Sequence, residues 1–199
     1  MRLRLRHVIL FAAFLAVWPA QVARADAANN IFRFSLGWVE PYADTTVTIQ
    51  GQDVNLESSG AATGLFDYEG RVLPWLGLDV QASYGMSQVT ATPSAGGTST
   101  SQDITNISGT FGVNFHFFGR SRVDLYLGPY ASYSSFYSTF EDAFGYGAVL
   151  GLDFALTKSG LALTSSVRYT ITDTDLTADP SISVSYDSLL FELGLGWRF

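Results

Sequence analysis

The sequence predicts an eight-stranded antiparallel transmembrane up-and-down β-barrel, and three observations lead to this all-β fold class. Bulky apolar residues alternate with residues that are small or charged, apart from Leu190, from Leu189 to Phe199, which is the two-residue period of a strand. Charged residues make up only 15% of the chain, against roughly 25% in an ordinary soluble domain. After residue 25 there is no apolar run long enough for a membrane-spanning helix, so closed strands are the expected way across a bilayer.

The amino terminus has the three parts of a secretory signal peptide, predicted to span residues 1–25. Three arginines precede an apolar run, and Ala23-Arg24-Ala25 fits a small-x-small cleavage site. A single-pass anchor is the alternative, but the apolar run is short and ends at Pro19. Cleavage leaves a barrel domain of residues 26–199 with seven basic and eighteen acidic residues, a net charge of −11. That charge disfavours a nucleic-acid partner.

The first four predicted strands are residues 31–40, 64–72, 76–86 and 106–117. In each of them, large apolar side chains alternate with polar or small ones. The second strand carries Asp67, Glu69 and Arg71 on one face, and three charges on one face cannot all meet hydrocarbon. That face is therefore the lumen, and the same alternation directs Arg33 and Asp79 inward.

The last four predicted strands are residues 123–133, 144–156, 161–171 and 189–199. Pro129 interrupts the fifth strand. Since proline cannot donate a ladder hydrogen bond, a bulge or a locally open seam is expected there. The eighth strand ends on the aromatic residues Trp197 and Phe199, which predicts recognition of this strand by the barrel-assembly machinery.

The connections alternate between long and short, which is the pattern of bacterial outer-membrane barrels. The long ones, about residues 43–62, 87–105, 135–143 and 172–185, are acidic and contain no Lys or Arg. They are expected to be extracellular loops, and residues 87–105, rich in Ser, Thr and Gly, are expected to be mobile. The short turns carry Arg120, Arg122 and Lys158. These features predict the bacterial outer membrane, with outer-membrane lipid as a partner and both termini in the periplasm.

Three other classes of protein fit the sequence less well. A soluble lipocalin is also an eight-stranded secreted barrel, but its outer face should be rich in charge. An enzyme is not expected, because His116 is the only histidine after residue 25 and no Ser/His/acid pattern surrounds it. No cofactor motif occurs, and a solvated acidic loop explains Asp173, Asp175 and Asp179 better than a calcium site does.

Several motifs in the second half of the chain occur in a characteristic order: Gly128-Pro129-Tyr130, Gly145-Tyr146-Gly147, Ser166-Val167-Arg168-Tyr169 and Leu193-Gly194-Leu195-Gly196-Trp197-Arg198-Phe199. Together they resemble the outer-membrane protein W (OmpW) family. The chain departs from that family in strand four, where Ile107-Ser108-Gly109-Thr110 stands in place of Leu-Pro-Pro-Thr. The resemblance implies a barrel through which small hydrophobic molecules enter from outside and leave sideways through the wall into the membrane.

The inward-facing charges predict a network that fills the lower lumen, because eight strands enclose an interior that side chains nearly fill. An apolar solute would then need a lateral exit, for which Pro129 is the candidate wall seam. The alternatives are a purely structural network with a harmless bulge, and a structural or adhesive barrel without transport. The predicted lumen charge network comprises Arg33, Asp67, Glu69, Arg71, Asp79, Asp124, Asp153, Arg168, Glu192 and Arg198.

Overall fold

The computed structural model describes residues 30–41, 45–49, 52–118, 121–137, 140–177 and 179–199. The predicted signal peptide lies outside the described residues. No helix within these ranges is long and apolar enough to cross a membrane. The eleven strands are β1 (Ile31–Pro41), β2 (Thr45–Ile49), β3 (Gln52–Ser58), β4 (Ala61–Leu73), β5 (Leu76–Pro93), β6 (Thr100–His116), β7 (Val123–Tyr137), β8 (Ala143–Ala155), β9 (Leu161–Leu176), β10 (Asp179–Ser185) and β11 (Ser188–Arg198).

Eight of these strands form a closed ring in the order β1, β4, β5, β6, β7, β8, β9 and β11. Every neighbouring pair is antiparallel, and the ring closes where β1 pairs with β11 from Ile31 opposite Arg198 to Pro41 opposite Ser188. The predicted eight-stranded barrel is therefore confirmed. Asn30 and Phe199 exchange backbone hydrogen bonds of 3.1 and 3.0 Å, so the two ends of the ring meet at the same edge.

The two faces of the ring differ sharply in character. Outward side chains are large, apolar and exposed, with Leu36 and Phe144 at 77% and 78% exposure. Inward side chains are buried and mostly small or charged, with Asp79 and Asp153 fully buried. A soluble barrel would show the reverse exposure of apolar groups, so this wall is suited to hydrocarbon.

The long connections contain more strand than the sequence predicted. The expected loop at residues 87–105 is largely strand: β5 continues to Pro93, β6 begins at Thr100, and the two pair as far as Ala91 opposite Thr100. β2 pairs with β3, β3 pairs with the end of β5, and β10 pairs with the end of β9. Long hairpins joined side by side satisfy their own backbone groups, which the Ser, Thr and Gly content of these segments did not reveal.

These extensions enclose a hydrophobic cluster of their own, which we call the apolar cap. Phe136 lies at its centre, with ring centroids 5.7 Å from Phe140 and 5.6 Å from Tyr186. Burial of such side chains gives the extensions a core separate from the membrane wall. The other buried members of the apolar cap are Val47, Leu56, Val89, Ile104, Ala143, Leu176 and Val184.

β7 passes through Pro129 without a bulge, so that part of the expectation is wrong. Its register with β6 is the same on both sides of the proline, since Gly112 pairs with Tyr130 and Phe115 pairs with Leu127. The ladder between β6 and β7 nevertheless lapses for two residues, at Gly128 and Pro129, whereas both residues remain paired with β8. A proline lacks the N–H that a ladder bond requires, which explains a gap without a shift of register.

Glycines on the inner face of β8 make room for aromatic side chains of β7. A Cβ at Gly151 would overlap the ring of Tyr126, and a Cβ at Gly147 would stand 2.8 Å from the hydroxyl oxygen of Tyr130. Both rings therefore lie flat across the neighbouring strand. This arrangement fills the narrow barrel interior and pairs an aromatic side chain with a strand glycine.

Candidate functional site

Arg33 of β1 holds together acidic residues from three other strands. Its guanidinium lies 2.7 Å from Asp67, 3.0 Å from Glu69 and 2.8 Å from Asp153, with Asp79 at 4.0 Å. The alternation of β1, β4, β5 and β8 points all of these side chains inward. Because the group is buried, each contact acts where water screens it little, and such charges persist only when paired.

Arg168 of β9 forms a second centre, two strands away from Arg33 around the ring. It donates to Glu192 of β11 at 2.8 Å, to Asp67 at 3.2 Å and to Asp79 at 3.3 and 3.4 Å. Asp67 thus bridges Arg33 and Arg168. The two arginines join six strands of the ring, β1, β4, β5, β8, β9 and β11, into one hydrogen-bonded group.

A third centre lies towards the edge with the short turns. Arg71 contacts Asp124 and lies 3.3 Å from Glu69. His116 lies between the same two carboxylates, with Nε2 2.8 Å from Glu69 and Nδ1 3.0 Å from Asp124. Both ring nitrogens of His116 are therefore directed at carboxylates.

Two tyrosines cover the arginines and were not among the predicted network residues. The guanidinium carbon of Arg33 lies 5.0 Å from the ring centroid of Tyr126, and that of Arg168 lies 5.5 Å from the ring of Tyr130. Tyr130 also forms a 2.6 Å hydrogen bond with Thr170 across β8. These cation–π contacts close the space around the charges.

Polar neighbours of the carboxylates complete the group. Asn114 donates to Glu69 at 3.0 Å, and Gln81 donates to Glu192 at 3.3 Å. The inward position of Gln81, Asn114 and His116 follows from strand alternation. Their partners do not, because these lie on strands far apart in the chain.

Arg198 is the predicted network residue that the structure places at the margin. Its nearest carboxylate is that of Asp153, at 3.9 Å, and its side chain is 19% exposed, against 4% for Arg33. The other nine predicted residues form one connected group of three arginines and six carboxylates, which we call the lumen network.

A cavity of about 80 Å³ lies beside the lumen network on the side of the long hairpins. On β7 the order along the strand is Tyr130 at the network, Ser132 and Ser134 at the cavity, and Phe136 in the apolar cap. β9 repeats this order with Arg168, Thr170 and Leu176. Because most of its lining side chains carry hydroxyl groups, we call this cavity the hydroxyl chamber. The interior therefore has three layers: lumen network, hydroxyl chamber and apolar cap.

The gap at Pro129 lies close to the end of the hydroxyl chamber that borders the lumen network. Tyr130, the next residue, faces inward between the lumen network and the chamber. The wall is tightly closed beside the gap, since a Cβ at Gly128 would overlap the carbonyl oxygen of Val113. The gap is thus a lapse in hydrogen bonding and not a hole.

The terminal aromatics lie on the outer wall. Trp197 and Phe199 are 49% and 41% exposed, and the Phe199 ring stacks on Phe32 at a centroid distance of 5.2 Å. Their recognition by an assembly machinery stays a prediction. Among the described residues, no group of three or more His, Asp and Glu side chains is arranged to hold a metal ion.

Known proteins share this architecture. Residues 9–199 match the family model of the outer membrane protein beta-barrel domain. A comparison with curated protein sequences gives no match.

Solved structures resemble the chain in fold. OprG from Pseudomonas aeruginosa has a TM-score of 0.68 and 16% identity, covering 87% of this chain and 96% of that one. Neisserial surface protein A has a TM-score of 0.60 and 15% identity, with coverage of 86% and 97%. The outer membrane protein AlkL has a TM-score of 0.58 and 17% identity, with coverage of 88% and 92%.

The expected likeness to small outer-membrane barrels of the OmpW kind is therefore confirmed at the level of the fold. The protein resides in the bacterial outer membrane. The extracellular side of the long hairpins and the periplasmic side of the ring ends stay predictions. A closed eight-stranded ring, an apolar outer wall and the family match over residues 9–199 agree: the chain belongs to the outer membrane protein beta-barrel domain family.

Proposed function

We propose that the protein is a passive uptake barrel for small hydrophobic molecules, which enter from the extracellular end and leave sideways through the wall into the membrane. The observation that carries this proposal is the lumen network. Three arginines, six carboxylates and two tyrosines occupy the periplasmic half of the lumen. An apolar solute gains nothing from crossing buried charges, so a straight path to the periplasm is unfavourable.

The lateral step is assigned to the seam at Pro129. There the β6–β7 ladder lacks two consecutive pairs, at Gly128 and Pro129. Opening a seam requires fewer hydrogen bonds to break where the ladder is already incomplete. The solute would pass into hydrocarbon, which favours an apolar molecule. In this proposal the protein acts as a conduit and not as an enzyme.

The test is uptake of labelled n-octane by cells with and without the protein, with a small sugar run in parallel. Faster influx of octane alone is expected. Pro129→Val should slow octane influx about fivefold, because an added ladder hydrogen bond is worth about 1 kcal/mol. Ala131→Val is the matched control, since it also enlarges an outward β7 side chain but lies where the ladder is complete. Equal octane influx with and without the protein would refute the proposal.

A surface role is the second candidate, favoured by the ordered acidic extension. Asp53 and Glu57 lie on β3 and Asp103 lies on β6, and no basic residue occurs in the extracellular segments. Replacing these three by Asn or Gln removes charge and leaves the ladder pairs intact. Loss of cell attachment with unchanged octane influx would support a surface role alongside transport, and loss of attachment without any octane influx would replace the transport proposal.

A further inference from the structure

The hydroxyl chamber is more polar than a path for pure hydrocarbon requires. We propose that it binds the polar head of a small neutral amphiphile, of the class in which one hydroxyl group ends a short alkyl chain. This inference deepens the proposed function and rests on it for the route by which such a molecule reaches the membrane. It concerns binding, so it can be tested without transport.

Two buried hydroxyl groups in the chamber lack partners among the described residues. Thr110 and Ser132 are 8% and 6% exposed, and neither Thr110 Oγ1 nor Ser132 Oγ forms a hydrogen bond. They lie directly opposite each other in the β6–β7 ladder. The next inward pair, Ser108 and Ser134, is joined by a 3.0 Å hydrogen bond. An unsatisfied buried hydroxyl is unfavourable, so a ligand that both donates and accepts gains affinity here.

Other hydroxyls converge on the same point of the wall. Gly145 lies between Ser132 on β7 and Thr172 on β9, and a Cβ at Gly145 would stand 2.7 Å from Ser132 Oγ and overlap Thr172 Oγ1. Because Gly145 has no side chain, hydroxyls from two strands approach the same space above β8. Together with Thr110, they form a three-sided polar recess.

The chamber favours a neutral ligand with an apolar part. No charged side chain is among its lining residues in the part of the chain that the structure describes, so a charged head would have no counter-ion. Phe136 and Tyr186 belong to both the chamber lining and the apolar cap, which gives the ligand an apolar roof. A cavity of about 80 Å³ has room for roughly five to eight water-sized groups. This volume accommodates a hydroxyl head and a short chain.

The experiment compares 1-hexanol with n-hexane as labelled probes of the full chain in lipid nanodiscs, with empty nanodiscs as background. Saturable binding of hexanol above that background is expected, and none for hexane. The double variant Thr110→Val, Ser132→Ala should weaken hexanol binding about tenfold, because it removes two hydrogen-bonding groups with little change of volume. Heat-modifiable migration on gels verifies that each variant is folded.

Thr164→Val is the matched control. Thr164 Oγ1 is also buried without a partner, but Thr164 lies opposite Asp153, beside the lumen network and away from the chamber. Its replacement should leave hexanol affinity unchanged. Equal hexanol affinity of the wild type and the folded double variant would overturn the inference, as would the absence of saturable binding, which would mean that the chamber holds water only.

Octane and octanol influx into cells separates this inference from the proposed function. Saturable hexanol binding with no influx of either probe would support the chamber and refute transport. Influx of both probes, together with hexanol binding that the double variant does not weaken, would support transport and refute the chamber as a binding site.

Discussion

At the scale of the residue, Arg33 shows what a charge inside a membrane barrel demands. Its guanidinium contacts carboxylates from β4 and β8 and lies over an aromatic ring of β7. A cation in this position is stable only because several anions surround it, and each anion needs the cation for the same reason. The effect of any one substitution therefore depends on which partners remain.

Arg33→Ala should lower the free energy of unfolding by about 3–5 kcal/mol, the usual cost of leaving a buried charge without its partner. Urea unfolding in lipid vesicles, followed by tryptophan fluorescence, measures this change. Arg198→Ala is the matched control and should have a much smaller effect, since its nearest carboxylate is 3.9 Å away. Equal losses in the two variants would show that the lumen network does not stabilise the barrel.

The inward direction of these charges was predictable, and their partners were not. Strand alternation directs Arg33, Asp67 and Arg168 into the lumen from the sequence alone. Which of them meet depends on the stagger of the closed ring, which brings together groups 120 residues apart, as with Arg33 and Asp153. The marginal position of Arg198 follows from the same stagger and has no signal in its own strand.

At the scale of the element, β8 is shaped by the side chains of its neighbour. The inner face of β8 has no side chain at Gly145, Gly147 and Gly151. Tyr126 and Tyr130 of β7 extend across this space. The sequence showed the glycines on the inward face. It did not show that they accommodate aromatic rings, because a strand glycine alone is equally typical of a bulge or of a tight bend.

Gly151→Ala should destabilise the barrel by about 1–3 kcal/mol, the typical cost of forcing an extra carbon into a packed interior. The added Cβ overlaps the Tyr126 ring, which must then leave its place over Arg33. Gly64→Ala serves as the control, since a Cβ there has no neighbour within 4 Å. The same unfolding assay measures both variants. An unchanged free energy of unfolding for Gly151→Ala would contradict the proposed packing.

The extracellular hairpins were the largest error of prediction at this scale. Local composition favoured a loop at residues 87–105, yet β5 and β6 pair there without a shift of register. Alternating Val89 and Ile104 against polar neighbours are weak signals in isolation. Their significance becomes clear only in the apolar cap, whose members come from eight different strands and their connections. Only the assembled fold therefore shows why these residues form strands.

At the scale of the whole molecule, the three interior layers predict a barrel closed to ions. Ions that enter the chamber meet buried, mutually paired charges and aromatic rings on the periplasmic side. The wild-type protein in a planar bilayer should therefore show no steady conductance. Arg168→Ser should open a water-filled path past Glu192 and Asp79 and produce measurable cation current.

A lasting open-pore conductance of the wild type would contradict this expectation directly. It would also remove the main reason for proposing a lateral exit. Because the measurement on the wild type is informative by itself, the prediction remains testable even if Arg168→Ser folds poorly.

The lumen network has a further consequence for the unfolded chain before it inserts into the membrane. The bond between Arg33 and Asp153 joins residues 120 positions apart, so it cannot form until the first strand has met the second half of the ring. Until then these charges remain hydrated, and the strands that carry them have a polar face opposite the apolar one. The side chains that obstruct the finished barrel are therefore the same ones that keep the unassembled polypeptide in solution during its transit through the periplasm.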